Sequence, residues 1–187
     1  MNAIDVLQQR VSAPRLGLPA PTQVQREAML KAAMRAADHG LLRPWHFLFV
    51  EGEGLDRLGD LFVGAAKAKN EALTSTEIER LKEMPKRAPL ICIVIARCQD
   101  HPKVPVIEQL ISAGAAAQNL ITAAFALNIG AVWRTGEMAY SAQVKKGLGL
   151  TGGEEIVGFI YLGTPLRPIG SPREMVLKDF FSAWPMK

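Results

Sequence analysis

The spacing of apolar positions divides the chain into helical and extended segments. In "NAIDVLQQR", Ile4 and Leu7, with Val6 beside them, share one face of a short helix. The Pro/Gly-rich stretch "VSAPRLGLPAPT" then reads as a loop. Thr22 is a suitable N-cap for a helix Gln23–Ala37, whose apolar stripe runs Val24, Met29, Leu30, Ala33, Met34, Ala37. His46–Val50 reads as a strand and "GEG" as the turn after it. Leu55–Lys69 is amphipathic with helical period, and Ser75 or Thr76 can cap a further helix Glu77–Met84. "PLICIVIA" is apolar on both faces, which predicts a central strand. A long helix Val106–Leu127 follows, then a short strand Gly130–Arg134. Ser141 caps a short helix that ends near Gly147–Gly149, and "EEIVGFIYLGTP" is a last strand. The tail "VLKDFFSAWPMK" carries two Phe and one Trp with little around them to form a core.

Helices outnumber strands and separate them, so the fold class is α+β, a small sheet between helical layers. The simple βαβ alternation of a Rossmann fold is absent. No GxGxxG follows a first strand, which arrives only near residue 46, and there is no GxxxxGK[ST] loop. At 187 residues, without linker, repeat or low-complexity tract, the chain reads as one domain. A chain of this length buries roughly 70% of its unfolded surface, so it needs no metal or disulfide staple.

Cys92 lies inside the apolar strand and Cys98 closes it. On one strand they would be about 20 Å apart, too far for a disulfide. With three His and no CxxC, a zinc site is not expected, and a reducing compartment fits best. The N-terminus lacks the basic and apolar regions of a signal peptide. Gln118, Asn119 and Asn128 make the segment Ile111–Val132 a buried helix rather than a membrane span, so a cytoplasmic protein is expected. The net charge of +4 is mild, and no basic stripe interleaved with aromatics points to nucleic acid.

The charge is unevenly placed. No acidic residue occurs between Asp5 and Glu27, where Arg10, Arg15 and Arg26 lie. Arg35 ends a helix and Arg134 ends a strand. Each alone reads as solvated charge with a helix-dipole bonus where it ends a helix. Together with Ser12 and Thr135 they suggest an anion site, because guanidinium forks suit phosphate. His39 follows Asp38, but neighbours on a helix point about 100° apart, so a catalytic dyad is not favoured. A His at a helix C-terminus, or one that orients a ligand, fits better. No GxSxG elbow occurs. Glu154–Glu155 reads as a cap at a strand start, and Lys145–Lys146 as a solvated helix face. Trp45 and Trp133 each lie beside a strand and an Arg, placed for a core or for a planar ligand. The residues themselves indicate an anionic, aromatic small ligand.

Four segments resemble the FMN-dependent nitroreductase family, in particular its short-chain NAD(P)H nitroreductases. "QQRVSAPRL" resembles the Arg-Arg-Ser-x-Arg that ends the family's first helix. "MRAADHGLLRPWHFLFVEGEG" resembles its Arg-Ala-Pro-Asp-His…Gln-Pro-Trp-His-Phe segment. "SAGAAAQNLITAAFALNIGAVWRTG" resembles the long helix and its Gly-x-x-Trp-Arg-Ser/Thr-Gly, and "VGFIYLGTP" the final strand. Val11 stands for the second Arg, Ala37 for a Pro, Arg43 for the usual Gln, and Leu41 for an Asn of larger members.

The resemblance implies an α/β/α sandwich with a mixed, mainly antiparallel sheet, in an intertwined homodimer with FMN at the interface. It assigns Arg10, Val11 and Ser12 to one part of FMN, and Trp133, Arg134 and Thr135 to another. Arg35 and His39 would reach in from the partner subunit. A nicotinamide contact is implied over Ala123, Ala124, Phe125, Ala126, Leu127 and Asn128. The tail from about residue 170 to 187 would pack on the partner. The activity implied is ping-pong transfer from NAD(P)H to nitroaromatic, quinone or similar acceptors, with no resident metal. A flavin- or nucleotide-binding protein without turnover is the alternative.

Overall fold

The computed structural model describes Asn2–Trp184, and its elements follow from local chemistry. α1 (Ala3–Gln9) starts in a capping box: the Asn2 side chain accepts the Asp5 N–H, and Asp5 answers on the Asn2 N–H. β1 is only Leu16–Gly17. α2 (Gln23–Ala33) starts in a second box, Thr22 with Gln25, and stops four residues before the predicted end. Its last turn tightens: the Arg35 N–H bonds the Ala32 carbonyl and the Ala36 N–H that of Ala33. β2 runs Trp45–Glu51 and α3 runs Glu53–Lys69.

α4 (Ser75–Glu83) is capped by Thr74, not by the predicted Ser75 or Thr76. Thr74 stands three residues before Glu77, the spacing at which both backbone amides are answered reciprocally. β3 (Leu90–Arg97), α5 (Val106–Ala126) and β4 (Gly130–Arg134) follow. A helix the sequence did not announce, α6 (Gly136–Tyr140), precedes α7 (Ala142–Gly147), whose cap is the predicted Ser141. β5 spans Glu154–Pro165, as expected.

The sheet order is β1-β5-β3-β2, with β4 also on β5. All four pairings are antiparallel, so the expected mixed character narrows to an antiparallel sheet among the described residues. β3 is central, and Leu90–Ala96 are buried throughout. Its side chains alternate between two cores. Ile91, Ile93 and Ile95 pack with Phe62, Leu58 and Val144 on the α3–α4–α7 side. Leu90, Cys92 and Val94 pack with Met29, Leu120 and Ala117 on the α2–α5 side. Phe62 meets Phe159 edge to face, ring centres 5.5 Å apart. α3 approaches α4 closely through Gly59, where a Cβ would come within 2.6 Å of the Lys82 carbonyl oxygen. The result is an α+β sandwich, two helical layers on one small sheet.

Some apolar positions stay outside. Only Val6 of α1 is buried, while Ile4 and Leu7 are exposed. Ile107 and Ile111 on one face of α5 are exposed too, as are Val176, Leu177, Phe180, Phe181 and Trp184 of the tail. The tail residues 185–187 lie outside the described residues.

Candidate functional site

The extended segment after α1 runs to the sheet edge. Arg10 ends α1 in extended conformation, and two residues past Val11 the Ala13 N–H donates to the Ala131 carbonyl at 2.9 Å. That bond ties the segment after Ser12 to β4, whose last residues are Trp133 and Arg134, with Thr135 next. The two groups of expected site residues, far apart in sequence, are thereby linked through Ala13 and Ala131.

On β4, Trp133 and Arg134 point to opposite faces. Trp133 belongs to the α2–α5 core, and its indole N–H donates to the Val157 carbonyl at 3.3 Å. The ring lies on Gly158, where any Cβ would collide with the indole. Arg134 turns to the other face, its guanidinium carbon 5.8 Å from the Tyr161 ring centre. Its Nε is buried and has no protein hydrogen-bond partner. Leaving a buried donor unmet costs about 1–3 kcal/mol, so this atom marks a place built for an acceptor. Burial pushes the Tyr161 hydroxyl above its ordinary range, against the opposing fields of Arg134 and Arg87. This face is electropositive.

A cavity of about 610 Å³ is lined by residues of α3 and α4, by Arg87, and by Thr135–Met138 at the start of α6. Arg87 ends a 3-10 turn, Pro85–Arg87. Neither Arg87 nor Tyr161 was singled out in the sequence. Tyr161 offered the period-2 alternation with Phe159, but Arg87 looked like any charge before a strand.

Arg35 and His39 gather elsewhere. The α2–β2 crossing is left-handed at Gly40, Leu41 and Arg43, with φ of 75°, 56° and 50°. The Asp38 carboxylate accepts the Arg43 N–H at 2.7 Å and holds that shape. His39 Nδ1 lies 2.6 Å from Glu108 Oε2, tying the crossing to α5. Arg35, Asp38, Leu41, Arg43 and Trp45 line a cavity of about 320 Å³. β3 and β5 separate this crossing, at the β2 edge, from β4. Within one chain, Arg35 and His39 therefore do not join Arg10 and Arg134.

The stretch Ala123–Asn128 forms the last turn of α5. Ala124 is fully buried, Ala123 and Leu127 pack on the α2–α5 core, and Ala126 and Asn128 are exposed. Asn128 is left-handed, φ 58°, and ends the helix. Glu154 accepts the Thr151 N–H at 2.8 Å, as a strand-start cap, while Lys145 departs from the expected solvated face by pairing with Glu155. Burial pushes both thiols above their ordinary values, which leaves neither poised as a nucleophile.

Residues 15–164 match the sequence profile of the Nitroreductase family. The chain is also 42% identical over 165 residues to "Putative NAD(P)H nitroreductase YdjA" of Escherichia coli (strain K12), covering 88% of this chain and 89% of that protein. The chain belongs to the nitroreductase family. That membership makes it an oxidoreductase. Solved nitroreductase-like structures share the fold. A nitroreductase-like family protein from Bacillus cereus superposes with TM-score 0.84 at 21% identity, covering 100% of this chain and 97% of that one. A "putative nitroreductase in complex with fmn" from Desulfovibrio desulfuricans gives 0.75 at 22% identity and covers 99% of each chain. No helix among the described residues is long and apolar enough to cross a membrane.

Proposed function

We propose that this nitroreductase-family chain is a cytoplasmic, FMN-dependent oxidoreductase that takes electrons from NAD(P)H and passes them to nitroaromatic, quinone or similar small acceptors. The observation that carries the reading is the unmet, buried Nε of Arg134, on the strand that the segment after Arg10–Ser12 joins through Ala13 and Ala131. The residues present fit the cofactor. Arg10 and the Ser12 hydroxyl are donors suited to its phosphate, Val11 adds only its backbone, and Arg134 and Thr135 supply donors to its ring system. Trp133 acts through packing, because its indole holds the β4–β5 contact that fixes Arg134. Bound there, FMN would supply the two-electron chemistry of a ping-pong exchange between NAD(P)H and the second substrate. The chain's own part is to bind, orient and set the local field: the Arg134 charge favours electron density on the bound ring. Ala126 and Asn128 are the exposed side chains of the proposed nicotinamide stretch.

The working form is a homodimer in this reading. Arg35 and His39 lie at the sheet edge away from β4, as residues serving a neighbour's site would. The exposed apolar faces of α1 and α5, and the exposed tail, supply surface for a second copy. The test is direct. Purified protein carries visible flavin absorbance that bleaches without oxygen on addition of NADH or NADPH. Protein that holds no flavin and takes up none overturns the reading. Flavin that stays oxidised with both nucleotides leaves only a flavin-binding protein without turnover.

A further inference from the structure

The cavity of about 610 Å³ beside the N-terminal turn of α6 has a distinctive lining. Its size is that of a small-molecule site. Leu73, Leu81, Met84 and Met138 give it apolar walls. Its charges are mostly spoken for. Glu77 is held by Thr74 in the α4 capping box, Lys69 pairs with Glu137 at 3.5 Å, and Arg80 stands one turn after Glu77 on the same helix. Arg87 is different. Its neighbour Lys86 pairs with both Glu83 and Asp56, but Arg87 forms no ion pair among the described residues. A free guanidinium at the rim of an apolar cavity is a fork for a carboxylate.

We propose that this cavity is the acceptor site and that Arg87 makes it select aromatic acceptors carrying a carboxylate. The proposal rests on the FMN reading, because the cavity reaches Thr135, which follows Arg134 and is assigned with it to the flavin. The apolar walls take the ring of the acceptor, and Arg87 takes its anionic substituent. Arg134 lies on the same electropositive face, since both guanidiniums act on the Tyr161 hydroxyl. A neutral acceptor uses the walls alone.

The probes are 4-nitrobenzoate and its neutral counterpart 4-nitrobenzamide, titrated calorimetrically into the holoenzyme as purified, with flavin content read by visible absorbance. Arg87→Gln weakens 4-nitrobenzoate binding about tenfold and changes 4-nitrobenzamide binding less than about twofold, and Arg87→Lys recovers part of the loss. The kcat/KM ratio of the two acceptors falls in parallel. As a check that needs no variant, added salt weakens 4-nitrobenzoate binding to the unaltered protein and spares 4-nitrobenzamide. Equal loss for both probes overturns the proposal. So does a fall in flavin content in Arg87→Gln, which would assign Arg87 to the cofactor. Protein without any flavin refutes the FMN reading instead, and the two calorimetric affinities then still decide whether Arg87 holds a carboxylate.

Discussion

Arg134 holds its place by stacking on Tyr161, yet its buried Nε has no partner in the chain. A residue with only a structural task would have that donor met. Arg134→Ala therefore lowers FMN retention, measured as flavin remaining after dialysis. Arg10→Ala acts on the phosphate, where a charge-assisted contact contributes ~1.5–3 kcal/mol, and weakens flavin affinity correspondingly. Unchanged affinity in Arg10→Ala would place the phosphate elsewhere. Trp133 tests the packing side of the same strand. Gly158→Ala drives a methyl into its indole and destabilises the fold by about 1–3 kcal/mol in urea titration. A neutral result would mean that the indole moves freely, and Trp133 would not be what fixes β4.

At the scale of elements, the helix starts are local and the strand contacts are not. Thr74→Ala breaks one capping box and lowers stability by about 1 kcal/mol, read as a shift in thermal midpoint. The β3–β5 ladder carries a pH signature. The Glu154 carboxyl is held below its ordinary value of 4.5, first by the Thr151 N–H, against burial that raises it, and then by Arg97 and the Thr151 hydroxyl. A depressed folded-state value means the unfolded chain binds the proton more readily. Its contribution is thus fully present above the ordinary carboxylate range and is lost as pH falls through the lowered value. Urea midpoints compared between neutral and acid pH should show the loss shrink in Glu154→Gln.

For the whole molecule, the tail decides. Val176, Leu177, Phe180, Phe181 and Trp184 are all exposed, Trp184 at 91%. A fold-back onto the chain's own core would have buried them, at about 1.5–3 kcal/mol for each large side chain. In the proposed homodimer, the partner subunit is where that area is covered. Deleting residues 179–187 should then lower dimer stability, by analytical ultracentrifugation across concentration, and flavin content together. A truncated chain that stays dimeric and fully yellow refutes the arm exchange and leaves the oxidoreductase assignment intact.

What the sequence alone determined was local or periodic. The 154–165 strand, the two-sided apolar run of β3, the Ser141 cap and the length of α5 were legible because spacing of 2 or 3.6 residues and capping chemistry act within a few positions. The ordered motifs likewise named Arg10, Arg134 and their neighbours as a set. Tertiary structure decided what depends on distant partners. It ended α2 early, chose Thr74 over its neighbours, and put Trp133 and Arg134 on opposite faces. It also raised Arg87 from an ordinary surface charge to a cavity-lining cation without an ion pair among the described residues, because only the fold shows that Glu137, Glu83 and Asp56 pair with lysines.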